Sequence, residues 1–161
     1  MKIATKLCLI LAFIGFTATA TQAQNRPSEG DVGLTASLQS NQTNIMLPIW
    51  ASNNLVIAPV VGFSNVEDEY TNFNVGINPR FYQKLGSDFA TYIGVRGLLQ
   101  YHSPENSDSS SDFLLGAGVG GEYFLGSHFS LGVEAQLNFL IKDDSHNHFG
   151  TGTAIMGTYY F

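Results

Sequence analysis

Apolar and polar residues alternate along most of this chain, and the alternation has a period of two. From Phe129 to Ile141 all the odd positions are apolar: Phe129, Leu131, Val133, Ala135, Leu137, Phe139 and Ile141. Between them stand Ser130, Gly132, Glu134, Gln136, Asn138 and Leu140. A helix would scatter the first set around its circumference, whereas a strand puts all of it on one face. The same alternation predicts strands over Val32–Gln39, Phe73–Tyr82, Phe89–Tyr101, Phe113–Leu125 and Thr151–Phe161. Two further segments, Ile45–Trp50 and Leu55–Phe63, read as strands that are apolar on both faces. The chain is therefore all-β, with eight strands at a spacing that suits an antiparallel up-and-down order.

The connections fall into two kinds. Ala51–Asn54, Lys84–Asp88 and Gly126–His128 are short, whereas Ser64–Asn72, His102–Asp112 and Lys142–Gly150 are longer and polar, with Asn41–Asn44 a shorter member of the second kind. They alternate along the sequence. In an up-and-down barrel this puts every short turn at one end and every long loop at the other, the arrangement of barrels that span an outer membrane.

Residues 1–23 read differently from the rest. Lys2 and Lys6 precede the apolar stretch Leu7–Phe16, and Thr17–Ala23 is rich in small residues, the pattern of a secretory signal peptide cleaved after Ala23, with Ala20 the alternative. The apolar stretch is about half of the roughly 20 residues that a spanning helix needs. The one cysteine, Cys8, lies inside it, so the barrel domain, residues 24–161, has no disulfide.

Composition then changes the picture. Only 12% of the 161 residues are charged, about half the usual share for a soluble domain. All thirteen acids lie beyond Ala23, against five bases (Arg26, Arg80, Lys84, Arg96 and Lys142), a formal balance of 5 − 13 = −8. Such a chain has no positive field to hold nucleic acid.

Alternation alone does not say which face meets solvent, because a membrane barrel inverts a soluble one. Two features favour inversion. The polar faces carry small uncharged residues, Gly33, Thr35, Ser37 and Gln39 in one strand and Gly116, Gly118 and Gly120 in another, which suits a crowded lumen better than a wetted exterior. Aromatic residues on the apolar face also gather near strand ends. Phe63, Phe73, Tyr101 and Phe113 lie toward the long loops, and Phe81, Phe89, Tyr123, Phe129 and Tyr159 toward the short turns, as two girdles at the water–lipid boundaries would require.

With signal peptide, eight strands and girdles placed, the chain resembles the small outer-membrane β-barrel domain family of the OmpA/OmpX kind, a porin-family-like group of Gram-negative bacteria. The pieces most similar to that family are the hairpin Pro48–Ile57, with an aromatic strand end and an Asn-Leu turn exit, and the segment Asn78–Tyr82 turning through Leu85-Gly86-Ser87 into Phe89. The resemblance implies a monomeric, eight-stranded transmembrane barrel in the outer membrane, among lipid and lipopolysaccharide. It also implies that the C-terminal strand, ending in Phe161, is the assembly signal read by the barrel-insertion machinery. Pro48, Pro59 and Pro79 depart from a regular ladder and imply local bulges or lost ladder bonds.

Parity sends Arg80, Arg96, Glu122 and Glu134 into the lumen, one from each of four successive strands. Ions removed from water must be paired, so these four are expected to form a hydrogen-bonded network with Tyr82, Tyr92, Gln100, Gln136 and Tyr160. The network either fills the barrel, leaving a structural or surface-interaction role, or borders a narrow pore. No cofactor or metal is expected: His146 and His148 beside Asp143 and Asp144 look like a solvated loop tip. Ser127-His128 and Ser145-His146 lack a placed acid and any Gly-x-Ser-x-Gly elbow, so an enzyme, such as a lipid-modifying barrel, is not expected. A soluble lipocalin-like binder is the remaining alternative. The acidic segments Glu67-Asp68-Glu69 and Ser107–Asp112 either contact a partner of unknown kind or keep the loop end solvated.

Overall fold

The computed structural model describes residues 26–39, 42–66, 70–84, 88–104, 109–142 and 146–161. The signal-peptide segment, the acidic triplet at 67–69, the turn residues 85–87, Ser107, Asp108 and the loop residues 143–145 lie outside them. Among the described residues nine strands form one closed sheet: β1 (Gly33–Leu38), β2 (Thr43–Met46), β3 (Ile49–Ser52), β4 (Leu55–Val66), β5 (Tyr70–Lys84), β6 (Phe89–Pro104), β7 (Ser110–Phe124), β8 (Phe129–Ile141) and β9 (His148–Tyr160). Sequential strands pair antiparallel from β3 to β9, β9 pairs with β1, and β2 bridges β1 to β4. β2 and β3 are thus two halves of one stave, and the barrel has eight. Among the described residues closure gives each stave a neighbour on both sides, the condition for strands to stand in lipid.

The expected single strand Ile45–Trp50 breaks at Pro48, which has no N–H to give to the ladder. Neighbours repair the break: the Leu47 N–H donates to the Pro59 carbonyl (3.0 Å), and the Pro48 carbonyl accepts from the Gly33 N–H (2.9 Å). Pro79 has a milder effect. Ile77 pairs with Gly97 and Arg80 with Gly94, the same register on both sides, so pairing lapses between them without slipping. Pro59 keeps its place opposite Ile77. The register shift falls instead between Trp50 and Ser52, where β3 meets β4.

The strands also outrun their sequence boundaries at the loop end. β4 and β5 stay paired out to Val66 and Tyr70, β6 and β7 out to His102 and Ser110, and β9 begins at His148 rather than Thr151. Long loops read as polar from the sequence are therefore partly strand. Polar residues beyond the bilayer have no reason to leave a ladder that already satisfies their backbone groups.

The two faces are inverted relative to a soluble barrel. Along β8 the odd residues point outward and the even ones inward; Val133 is 60% exposed while Glu134 is 5%. Outward side chains include Leu34, Ile45, Val61, Val75, Ile93, Val119, Leu137 and Ile155, all exposed. Placed in water this would be a continuous apolar surface around the molecule, far beyond the few hundred Å² that soluble monomers tolerate. Placed in lipid it carries no such penalty.

Candidate functional site: the barrel lumen

The inward face is mixed, not uniformly polar. Toward the loop end Met46, Val60, Gly76, Leu98, Leu114 and Leu140 fall on one register line across six strands and form an apolar layer. Leu98 leans over Gly76, where an added Cβ would lie 2.8 Å from its Cδ2. Toward the turn end the lumen is aromatic. Trp50 is wholly buried, with its ring centroid 4.9 Å from that of Tyr82, which in turn lies 5.0 Å from Tyr92. Phe124 and Tyr160 pack beside them.

Arg80, Arg96, Glu122 and Glu134 sit between these zones, all buried. They form two carboxylate centres. Glu122 accepts from the hydroxyls of Tyr82 (2.5 Å), Tyr160 (3.0 Å) and Ser130, drawing on β5, β9 and β8. Glu134 accepts from Arg96 Nη2 (2.6 Å), Tyr92 (2.9 Å) and Gln136 Nε2 (2.9 Å). Each carboxylate thus has three donors, which a buried anion requires.

Arg80 departs from the expectation that every lumen ion is paired. Among the described residues Arg96–Glu134 is the lumen's ion pair, and Arg80 Nη2 donates instead to two thioethers, Met46 Sδ (3.2 Å) and Met156 Sδ (3.3 Å). One face of its guanidinium covers the Tyr92 ring, 5.1 Å from the centroid, a cation–π contact. Its Nε is buried without a partner. Neither carboxylate pairs with Arg80: Glu122 accepts from three hydroxyls, and Glu134 from Arg96, Tyr92 and Gln136. Gln100 is half-buried and is not a partner of either centre.

Glycine makes room for the network. At Gly116 a Cβ would lie 2.7 Å from Arg96 Cγ and from Asn138 Oδ1, and at Gly120 it would enter the Tyr92 ring. On the seam that closes the barrel, Thr35 of β1 and Thr158 of β9 are paired in register, with their hydroxyls 2.8 Å apart. The cavity left near Arg80 and Arg96 measures about 10 Å³, room for roughly one water.

The aromatic positions on the outside fall as two bands. At the loop end Phe63, Phe73 and Tyr101 are register partners, and Phe113 stands opposite Leu99 and Ile141. Phe139 and Phe149 face each other across β8 and β9 and join this band; Phe149 lies before the strand start at Thr151 that the alternation predicts. At the turn end Phe81 is exposed, Phe89 pairs with Tyr123, and Phe129 with Tyr159, although Phe129 is half-buried. Phe161 is 70% exposed and meets Tyr159 edge-on. His128 stacks on Tyr159 and donates Nδ1–H to the Tyr160 carbonyl (3.0 Å). His146 and His148 are exposed, and Asp143 and Asp144 lie outside the described residues.

Known structures bear on this geometry. The N-terminal β-barrel domain of OprF from Pseudomonas aeruginosa superposes with a TM-score of 0.67 at 12% identity, covering 84% of this chain and 100% of that one. The fold is that of a small outer-membrane β-barrel. Neisserial surface protein A matches with a TM-score of 0.61 at 16% identity over 80% of this chain and 92% of its own. A de novo designed transmembrane β-barrel matches at 0.55 and 14% identity, covering 84% and 98%. No protein-family model and no curated protein sequence matches the chain. At these identities the likeness is one of architecture, and the outward apolar face gives that architecture its physical reason here.

Proposed function

We propose that the protein is an integral outer-membrane barrel with a structural or surface-interaction role, and that its lumen is closed rather than conducting. The observation that carries this reading is the side-chain packing of the described interior: an aromatic cluster, two carboxylates each accepting three hydrogen bonds, and an apolar layer, with a cavity of about 10 Å³ beside Arg80 and Arg96. A permeant ion would have to displace the Arg96–Glu134 pair and then cross Val60, Leu98 and Leu114, shedding its hydration with nothing to replace it. Residues 1–23 export the chain, and the C-terminal strand ending at Phe161 presents it to the insertion machinery. Lipid and lipopolysaccharide then surround a monomer. The loop end supplies whatever contact the protein makes outside the cell, and its acids favour cationic partners or divalent ions bridging lipid phosphates.

The test is planar-bilayer recording of the purified barrel. The expected result is no unitary conductance at any holding potential; steps that vanish on addition of antibody to a loop tag would establish the channel reading in its place. Fractionation separates the soluble alternative, since a lipocalin-like binder would be recovered without detergent.

A further inference from the structure

Tyr82, Tyr92 and Tyr160 each give their phenolic hydrogen to a buried carboxylate, Tyr82 and Tyr160 to Glu122 and Tyr92 to Glu134. A buried phenol needs some acceptor, but an ionised carboxylate is one that can also take the proton. Two of these rings stand in series with Trp50. The Trp50 centroid is 4.9 Å from that of Tyr82, which is 5.0 Å from that of Tyr92. A cation covers each end of the series, Arg26 over Trp50 at 5.3 Å and Arg80 over Tyr92 at 5.1 Å. Indole and phenol are the side chains that give up single electrons most readily, and a phenol does so only as its proton leaves.

From this we infer a further activity: the lumen passes an electron vacancy from Trp50 to Tyr82, with Glu122 taking the phenolic proton. The oxidant is a one-electron acceptor at the turn end, such as an organic peroxyl radical. It takes one electron from the indole across the half-buried Arg26 side chain and becomes a peroxide anion. Tyr82 then returns one electron to the indole while its hydroxyl proton crosses the 2.5 Å hydrogen bond to Glu122 Oε2. The products are intact Trp50, a neutral Tyr82 phenoxyl radical and a protonated Glu122. The vacancy stops there. Passing it to Tyr92 would put the proton on Glu134 and remove the anion of the buried Arg96 pair, whereas Glu122 accepts from hydroxyls and makes no contact ion pair among the described residues. Arg80 on the Tyr92 face also repels positive charge developing on that ring, and Arg26 does the same to oxidised Trp50, which drives the vacancy inward.

Laser photo-oxidation of Trp50, the single tryptophan, tests this in the folded barrel in vesicles, with a dissolved cobalt(III) ammine to capture the ejected electron. The indole-radical absorption is expected to decay at the rate at which a phenoxyl absorption rises, and both steps should slow in heavy water. Tyr82→Phe keeps the ring and its packing; in it the indole radical should persist and the phenoxyl rise disappear. Glu122→Gln should slow the rise about 100-fold or more, the contribution of a positioned base. Should the Glu122 variant fail to fold, the Tyr82 variant and ring deuteration of tyrosine, which must change the spectrum of the freeze-trapped radical, decide the matter. No phenoxyl radical in the wild-type barrel, or one whose rise is undiminished in Tyr82→Phe or in Glu122→Gln, would overturn the inference.

Discussion

The pair formed by Arg96 and Glu134 offers the sharpest perturbation of the lumen. Glu134→Gln keeps the shape of the side chain and removes its charge, leaving Arg96, 7% exposed, without the anion now 2.6 Å from its Nη2. Breaking one side of a buried pair costs about 3–5 kcal/mol. The lower end is expected here, because a glutamine oxygen still accepts one hydrogen bond. Arg96→Met strands the carboxylate, but the Tyr92 and Gln136 donors remain, so about 3 kcal/mol is again expected. The double variant removes both charges and sets an unbranched thioether side chain beside the apolar layer of Leu98 and Val60; its cost should be only about 1–2 kcal/mol, because paired removal of buried ions is often near neutral. The cycle therefore yields a coupling of about 4–5 kcal/mol. Urea unfolding from lipid vesicles reads it directly, with the emission of Trp50, the single tryptophan, as probe. Additive single effects, with coupling below about 0.5 kcal/mol as for solvated surface pairs, would refute the claim that this pair is desolvated.

Three further outcomes follow from the same geometry. Val133→Arg puts a charge at an outward position 60% exposed near the middle of β8; in vesicles it should cost about 2–4 kcal/mol, whereas on a water-facing wall the same unfolding experiment would register almost nothing. Gly120→Ala drives a methyl into the Tyr92 ring and should destabilise by about 1–3 kcal/mol, a loss that a Tyr92→Leu background should relieve if the clash is its cause. Arg26 lies 5.3 Å over the Trp50 ring and gives Nη2–H to the Asn53 carbonyl (2.8 Å); Arg26→Ala should cost about 0.5–1 kcal/mol, and acrylamide should quench Trp50 more strongly, while unchanged quenching would mean that Arg26 does not cover the ring.

The architecture was legible because period two survives any uncertainty of register. Phe129–Ile141 reads as a strand from its alternation alone, and parity places Glu134 and Gln136 together on the inner face of β8. What meets what across the lumen was not legible. The partners of Arg80 are 34 and 76 residues away, and methionine is not sought as a partner for a buried cation. Ser130 was missed as the third donor to Glu122 for a similar reason: parity turns it inward, but serine carries no chemistry that singles it out. Val60 lies in a segment apolar on both faces, where alternation gives no sign of which face is inner; Leu98 and Leu114 share the parity of Arg96 and Glu122, but as lone leucines on otherwise polar or glycine faces they give no sign of a common layer. Pro48 did announce a disturbance. Its outcome, one stave in two pieces, depends on Pro59 and Gly33 being close enough to accept and donate across the break.

The central claim is that the outward face of this barrel is a lipid face. Density-gradient separation of inner and outer membranes, with gel mobility of the unheated and heated protein, tests it most directly. Recovery in the outer-membrane fraction, resistance to urea extraction and a mobility that shifts on boiling are the expected results. Recovery in the soluble periplasm without detergent, with one mobility before and after heating, would contradict the account.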